Sequence, residues 1–136
     1  MARIRLLSTD FDGTLIAIGS RGSCPPDFAA ALELHRRRGG SWAINTGRSL
    51  EHALEGLRLF NAPVEPDFLL TTEREIYRRV ASDHWLAHGE WNLISRRRHD
   101  ELFDQALELF EFVERLAQES DHVTIFYEQG CPAGLV

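Results

Sequence analysis

Short apolar-rich runs alternate with amphipathic stretches along the first half of the chain. Ile4-Arg5-Leu6-Leu7-Ser8-Thr9 predicts a buried strand that starts almost at the first residue. Gly13, Gly19, Gly22, Pro25 and Pro26 break the next stretch into a loop, with room for a short hairpin over Thr14–Ile18. Pro26-Asp27 then opens a helix, with Phe28, Ala31, Leu32 and His35 at helical spacing. Arg36-Arg37-Arg38 place positive charge in its last turn before Gly39-Gly40 ends it. Trp42–Asn45 reads as a second strand. Ser49 is a cap for a helix Leu50–Phe60 whose Leu50, Ala53, Leu54, Leu57 and Phe60 share one face, and Asn61-Ala62-Pro63 stops it. Asp67–Thr71 is a third strand.

The order β-α-β-α-β predicts an α/β fold, a Rossmann-like parallel sheet with helices on its faces. Such sheets bind ligands at the carboxyl ends of their strands. The pattern changes after about residue 72. Ile76–Val80 and His84–Ala87 predict two short antiparallel strands, residues 99–119 one long amphipathic helix, and Val123–Tyr127 a further strand. The helix stripe comprises Leu102, Phe103, Ala106, Leu109, Phe110, Val113 and Leu116. The tail from Gly130 to Val136 carries no recognisable element.

Composition narrows the function classes. The 136 residues are 43% hydrophobic and 26% charged, in the range of an ordinary globular domain. No apolar run reaches the ~18 residues of a membrane span. Neither does the N-terminus have the apolar core of a secretory leader, so no membrane partner is expected. A net charge of −6 argues against a nucleic-acid partner. Cys24 and Cys131 have neither zinc nor disulfide-framework spacing, which points to a cytoplasmic location. The basic residues are 15 arginines, with no lysine at all. Chemistry that requires a lysine cannot be completed by this chain alone.

The strongest chemical signal is Ser8-Thr9-Asp10-Phe11-Asp12-Gly13-Thr14-Leu15. Asp10 and Asp12 are two apart, so in extended geometry both carboxylates point to one side, at a strand's carboxyl end. That arrangement suits a magnesium and phosphate site better than it suits packing, which makes Asp10 and Asp12 candidate metal ligands. Asp-x-Asp-Gly-Thr arises by chance about once in a thousand chains of this length, so it is weighed as chemistry before it is weighed as a solvated turn. The second signal is Ala43-Ile44-Asn45-Thr46-Gly47-Arg48, where the second strand meets the second helix. A hydroxyl, a bare backbone N–H, a guanidinium and a helix N-terminus together suit an anion.

The first segment resembles the first signature of the haloacid dehalogenase superfamily. The second is similar to the Thr-Gly-Arg form of its second signature, found in the sucrose-phosphatase-like and Cof-type branches. Pro66–Tyr77 is similar to the third strand and following turn of those members, which carry a small or Asn-Gly pair where this chain has Glu73-Arg74. Trp85 and Trp91 resemble the opening of their substrate-selecting cap. The resemblance implies that residues 1–77 are the N-terminal part of the core and 78–136 a partial α+β cap segment. It further implies a Mg²⁺-dependent phosphatase acting on a sugar phosphate or similar small phosphate ester. Asp10 would be the nucleophile that forms an aspartyl-phosphate. Asp12 would be the acid and base, and Thr46, Gly47 and Arg48 would bind phosphate.

Two downstream signatures, a lysine and an acidic pair, have no counterpart, so the core is expected to be incomplete and the chain weakly active. An open sheet edge would then favour self-association. Two alternatives stay open: a phosphomutase-type phosphotransferase, and a non-catalytic interaction module. His84, His88, His99 and His122 lack helical ligand spacing and are expected to be solvated. Arg96-Arg97-Arg98 is expected to be a solvated charge run ahead of the long helix.

Overall fold

The structure, a computed structural model, describes residues 5–16, 22–119, 124–128 and 131–135. The described chain forms two compact units, residues 1–95 and 96–136. In the first unit the element order is β1 (Leu6–Asp10), α1 (Pro26–Arg37), β2 (Ser41–Asn45), α2 (Leu50–Phe60), β3 (Phe68–Thr71), β4 (Glu75–Ala81) and β5 (His84–Ala87). One mixed sheet runs in the order β1-β2-β3-β4-β5. The first three strands are parallel, with Asp10 level with Asn45, and the last two are antiparallel. This is the expected α/β architecture. Two of the expected features lie outside the described residues: Ile4 of the first strand and the far half of the Thr14–Ile18 hairpin.

Alternation along the strands explains the core. Trp42 and Ile44 on β2, Leu69 on β3 and Tyr77 on β4 share one face, and they join Leu32 of α1 and Ala53 and Phe60 of α2. Phe28 of α1 meets the Trp42 ring edge-on at 5.9 Å, which seats that helix on the second strand. Each fully buried large side chain of this cluster contributes on the order of 1.5–3 kcal/mol. Buried polar contacts then set the strand ends. Asp67 accepts from the Trp42 backbone N–H at 2.9 Å and from Arg36 at 2.9 Å, and the Trp42 indole donates to Thr9 at 3.0 Å.

Residues 78–87, grouped by the sequence reading with the second segment, extend the first sheet instead. The reason is the tight β3–β4 turn, which folds β4 back onto β3 with Leu69 facing Tyr77 and Thr71 facing Glu75. The turn also shifts the expected small pair by one position. Thr72 and Glu73 hold φ of 51° and 59°, so glycine or asparagine would fit here rather than at Glu73-Arg74. A β-branched residue at positive φ is strained.

The second unit departs further from expectation. The long helix predicted over 99–119 is two helices, α3 (Trp91–Gln105) and α4 (Leu107–Gln118), with Ala106 out of helical geometry between them. The start of α3 lies in the first unit, and Arg96–Arg98 lie inside this helix rather than ahead of it. At the break Ala106 N–H bonds Phe103 O at 2.9 Å, one residue short of the α-helical partner. The Phe103 and Phe110 rings stack across it at 4.6 Å. An uninterrupted stripe would have put Leu102, Leu109 and Leu116 on the covered side with them, yet these three remain exposed. The tail, read as structureless, contributes β7 (Cys131–Leu135), antiparallel to β6 (Ile125–Glu128). Residues 120–123, including His122 and the start of the expected last strand, lie outside the described residues. No helix among the described residues is long and apolar enough to cross a membrane.

The left-handed turn yields a stability prediction. Glu73→Gly should raise unfolding free energy by about 1 kcal/mol, because glycine takes positive φ without the Cβ penalty. The urea midpoint of the variant against wild type measures it, and a lowered midpoint contradicts the turn geometry.

Candidate active site

The carboxyl ends of β1 and β2 lie side by side because the two strands pair in register through to Asp10 and Asn45. Beyond Asp10 the chain turns at once. Leu15 and Ile16 N–H both bond Phe11 O, at 2.9 and 3.0 Å, while Gly13 N–H bonds Ile16 O at 2.7 Å. Gly13 supplies the φ of 76° that this closure needs. Phe11 and Ile16 are buried in the core, so the turn is anchored from beneath and its polar residues face outward.

The two carboxylates therefore take different partners. Asp10 ends the strand, exposed, and its Oδ2 accepts from the Thr14 hydroxyl at 2.9 Å. Its other oxygen has no hydrogen-bond partner among the described residues. Asp12 sits in the turn, where both its oxygens are taken by Arg48: Nε donates to Oδ2 at 2.8 Å and Nη2 to Oδ1 at 2.6 Å. The extended geometry expected of Asp10 and Asp12 stops at the strand end, so strand alternation does not set where Asp12 points. Arg48 does.

Arg48 is itself held from several sides. Its Nη1 donates to His52 O at 3.2 Å, and its guanidinium lies over the Phe11 ring at 5.1 Å from the centroid. Its backbone N–H donates to the Thr46 hydroxyl at 3.2 Å, and its backbone O accepts from Thr72 N–H at 3.0 Å. The hydrogen-bonded Asp12 carboxylate pushes the guanidinium above its ordinary value, against the opposing effect of partial burial. With side chains 33% and 47% exposed, the pair is worth about 1 kcal/mol or less, so it orients Asp12 more than it stabilises the fold.

Thr46 is buried, and its N–H bonds Leu70 O at 2.9 Å, which fixes the loop to the end of β3. Gly47 is exposed, and a Cβ added there would meet nothing within 4 Å. Neither packing nor positive φ calls for glycine at this position, so its effect is to leave the loop's surface bare. Ser49 then caps α2 by accepting from His52 N–H at 3.4 Å, as the sequence predicts. Asp10 at the end of β1 and the four others on the two loops that follow β1 and β2 thus lie at one end of the sheet, and one side chain, Arg48, joins the loops.

Sequence reasoning placed Thr14 and Phe11 in the first motif without giving either a role, and it missed Gly56. Gly56 lies inside α2, where glycine costs about 1 kcal/mol relative to alanine. A Cβ there would stand 2.5 Å from Phe11 and 2.7 Å from Arg48 Nη1. A glycine in the middle of a good helix pattern was the available signal. Trp85 packs against the core, while Trp91 is exposed and donates its indole N–H to Arg74 O at 2.9 Å. His84 and His88 are exposed, as expected. The partly buried Cys24 thiol is raised by desolvation, which makes it a poor nucleophile.

No cluster of three metal-ligating side chains occurs among the described residues. Both Asp12 oxygens accept from Arg48, so Asp10 is the one of the two whose carboxylate has an oxygen without a partner among the described residues. So small a donor set fits a divalent cation only together with oxygens of a bound phosphate and water.

No protein-family model matches the sequence, and no curated protein matches it. Among solved structures, the chain is similar to the haloacid dehalogenase-like hydrolase yhjK from Bacillus subtilis, at 19% identity and a TM-score of 0.49 over 76% of this chain and 45% of that one. It is also similar to a second haloacid dehalogenase-like hydrolase from B. subtilis, at 16% identity and a TM-score of 0.50 over 77% of this chain and 34% of that one. The chain spans less than half the length of either. The second likeness shows that the described chain has the α/β fold of haloacid dehalogenase-like hydrolases.

The packing around Arg48 predicts that Gly56→Ala lowers stability despite the gain in helix propensity. The clash with Phe11 and Arg48 should cost about 1–3 kcal/mol, which outweighs the gain of about 1 kcal/mol. A urea titration checks the sign. A more stable alanine variant contradicts the close approach.

Proposed function

We propose that the chain carries the nucleophile and phosphate-loop half of a phosphomonoester hydrolase site, acting on a sugar phosphate or similar small ester. The observation that supports this most is the juxtaposition of Asp10, with a carboxylate oxygen that has no partner among the described residues, and the exposed Gly47 next to buried Thr46 ahead of α2. A tetrahedral dianion is served there by the exposed Gly47 backbone, the helix dipole and the Thr46-Arg48 loop.

In this reading Asp10 attacks phosphorus, the ester P–O bond breaks, and the leaving oxygen takes up a proton. Water then cleaves the aspartyl-phosphate and restores Asp10. Thr14 holds one Asp10 oxygen and so aims the other. Asp12 is the nearest proton carrier in the sequence, and Arg48 donates to both its oxygens. Mg²⁺, if held at the Asp10 carboxylate, would supply positive charge that offsets the repulsion between carboxylate and dianion. The chain's own cation at this place is Arg48, since the sequence has no lysine. Loss of one preorganised charge contact typically costs about 10²–10³ in rate, so slow turnover is expected.

The test is hydrolysis of p-nitrophenyl phosphate and several sugar phosphates by the purified chain with Mg²⁺. Slow turnover should fall to the uncatalysed rate in Asp10→Asn, because an amide is a far poorer nucleophile, and likewise in EDTA. Equal turnover by wild type and Asp10→Asn, or undiminished turnover in chelator, overturns the assignment.

A further inference from the structure

Arg48 stands between two anions. Its place in the Thr46-Gly47-Arg48 loop directs it to a phosphate, while the structure directs its fork to Asp12. We propose that Arg48 is an exchangeable latch: it holds the Asp12 carboxylate while the site is empty, and transfers its paired N–H donors to the oxyanion of an incoming phosphate, freeing Asp12. The proposal rests on the phosphate-ester reading above.

Four observations carry it. A guanidinium presents parallel N–H donors whose spacing matches a carboxylate and a phosphate equally, so one fork can serve either in turn. The Arg48–Asp12 pair is partly exposed, with side-chain accessibilities of 33% and 47%, and such a pair is weak enough to be outcompeted by a dianion. Arg48 does not depend on Asp12 for its place. The Phe11 ring at 5.1 Å and His52 O at 3.2 Å hold its guanidinium from other directions, and the Thr46 hydroxyl at 3.2 Å holds its backbone N–H. Finally, the surface next to it is bare: nothing lies within 4 Å of a Cβ built on Gly47. Gly56 keeps the other side open, because any Cβ there would press on both Phe11 and Arg48 Nη1.

The exchange makes two anions compete for one fork, which a double-mutant cycle measures. Inorganic phosphate is titrated into wild type, Asp12→Asn, Arg48→Met and the double variant, all in EDTA so that no cation bridges, with amide NMR spectra reporting both fold and binding. Arg48→Gln replaces Arg48→Met if the latter does not fold. If Arg48 is a latch, Asp12→Asn tightens phosphate binding by up to about fivefold when Arg48 is present, and by far less when it is absent. The Arg48 Nε–Hε resonance of wild type also moves on adding phosphate. Equal gains in both backgrounds would mean that Asp12 only repels the anion, which overturns the latch and leaves the phosphate site standing. No phosphate binding by any of the four proteins overturns the phosphate reading and the latch with it.

Discussion

The parallel pairing of β1 with β2 is the constraint on which the site depends. Five consecutive residue pairs, from Leu6 with Ser41 to Asp10 with Asn45, bring the ends of the two strands level. A slip of β1 by one residue would turn Asp10 to the other face and take Leu7 away from the core it packs against. Hydrophobic burial on one face therefore sets the position of polar groups at the end. The Trp42 indole, which donates to Thr9 across the same pair of strands, ties the register to a specific contact as well as to bulk burial. Once the strand ends are level, the two loops that follow have little choice but to meet. The Phe11 side chain under one loop and the Arg48 guanidinium over it complete the junction.

That junction gives the site its particular electrostatics. In a chain without lysine the permanently cationic side chains are all guanidinium groups, and guanidinium recognition is directional. Arg48 is committed through all three of its side-chain nitrogens, to Asp12 and His52 O. Asp10 by contrast keeps one carboxylate oxygen without a partner among the described residues. The arrangement separates a carboxylate with an open oxygen, Asp10, from one restrained by a guanidinium, Asp12, although the two are only two positions apart. A bare glycine at Gly47 and a mid-helix glycine at Gly56 do complementary work here. One leaves space for a ligand, and the other leaves space for the arginine that would meet it.

Local signals were legible in the sequence, and tertiary ones were not. The helix Leu50–Phe60 and its Ser49 cap follow from a stripe and a capping residue within a few positions of each other. The three parallel strands follow from short apolar runs between helical periods. The Asp10 and Thr46 loops could be placed together because both fall at strand ends. The partner of Arg48 could not, because Asp12 lies on another loop and the choice between a carboxylate and a phosphate is geometric. The break at Ala106 was hidden because the apolar stripe continues on both sides of it. The β7 strand was hidden by Pro132 and Gly134, which read as loop. The strained pair at Thr72-Glu73 was misplaced by one residue because nothing local distinguishes the two central positions of a tight turn from the residue after them.

The central claim is that the Asp10 carboxylate is the atom group that takes the phosphoryl group. It is tested most directly by trapping. The chain is incubated with acetyl phosphate and Mg²⁺, reduced with borohydride, which converts an aspartyl-phosphate to homoserine, and digested for mass spectrometry. The account predicts homoserine at position 10 and at no other aspartate. Homoserine at Asp12 or at an unrelated aspartate, or an unmodified Asp10 after full exposure to the phosphodonor, would contradict it.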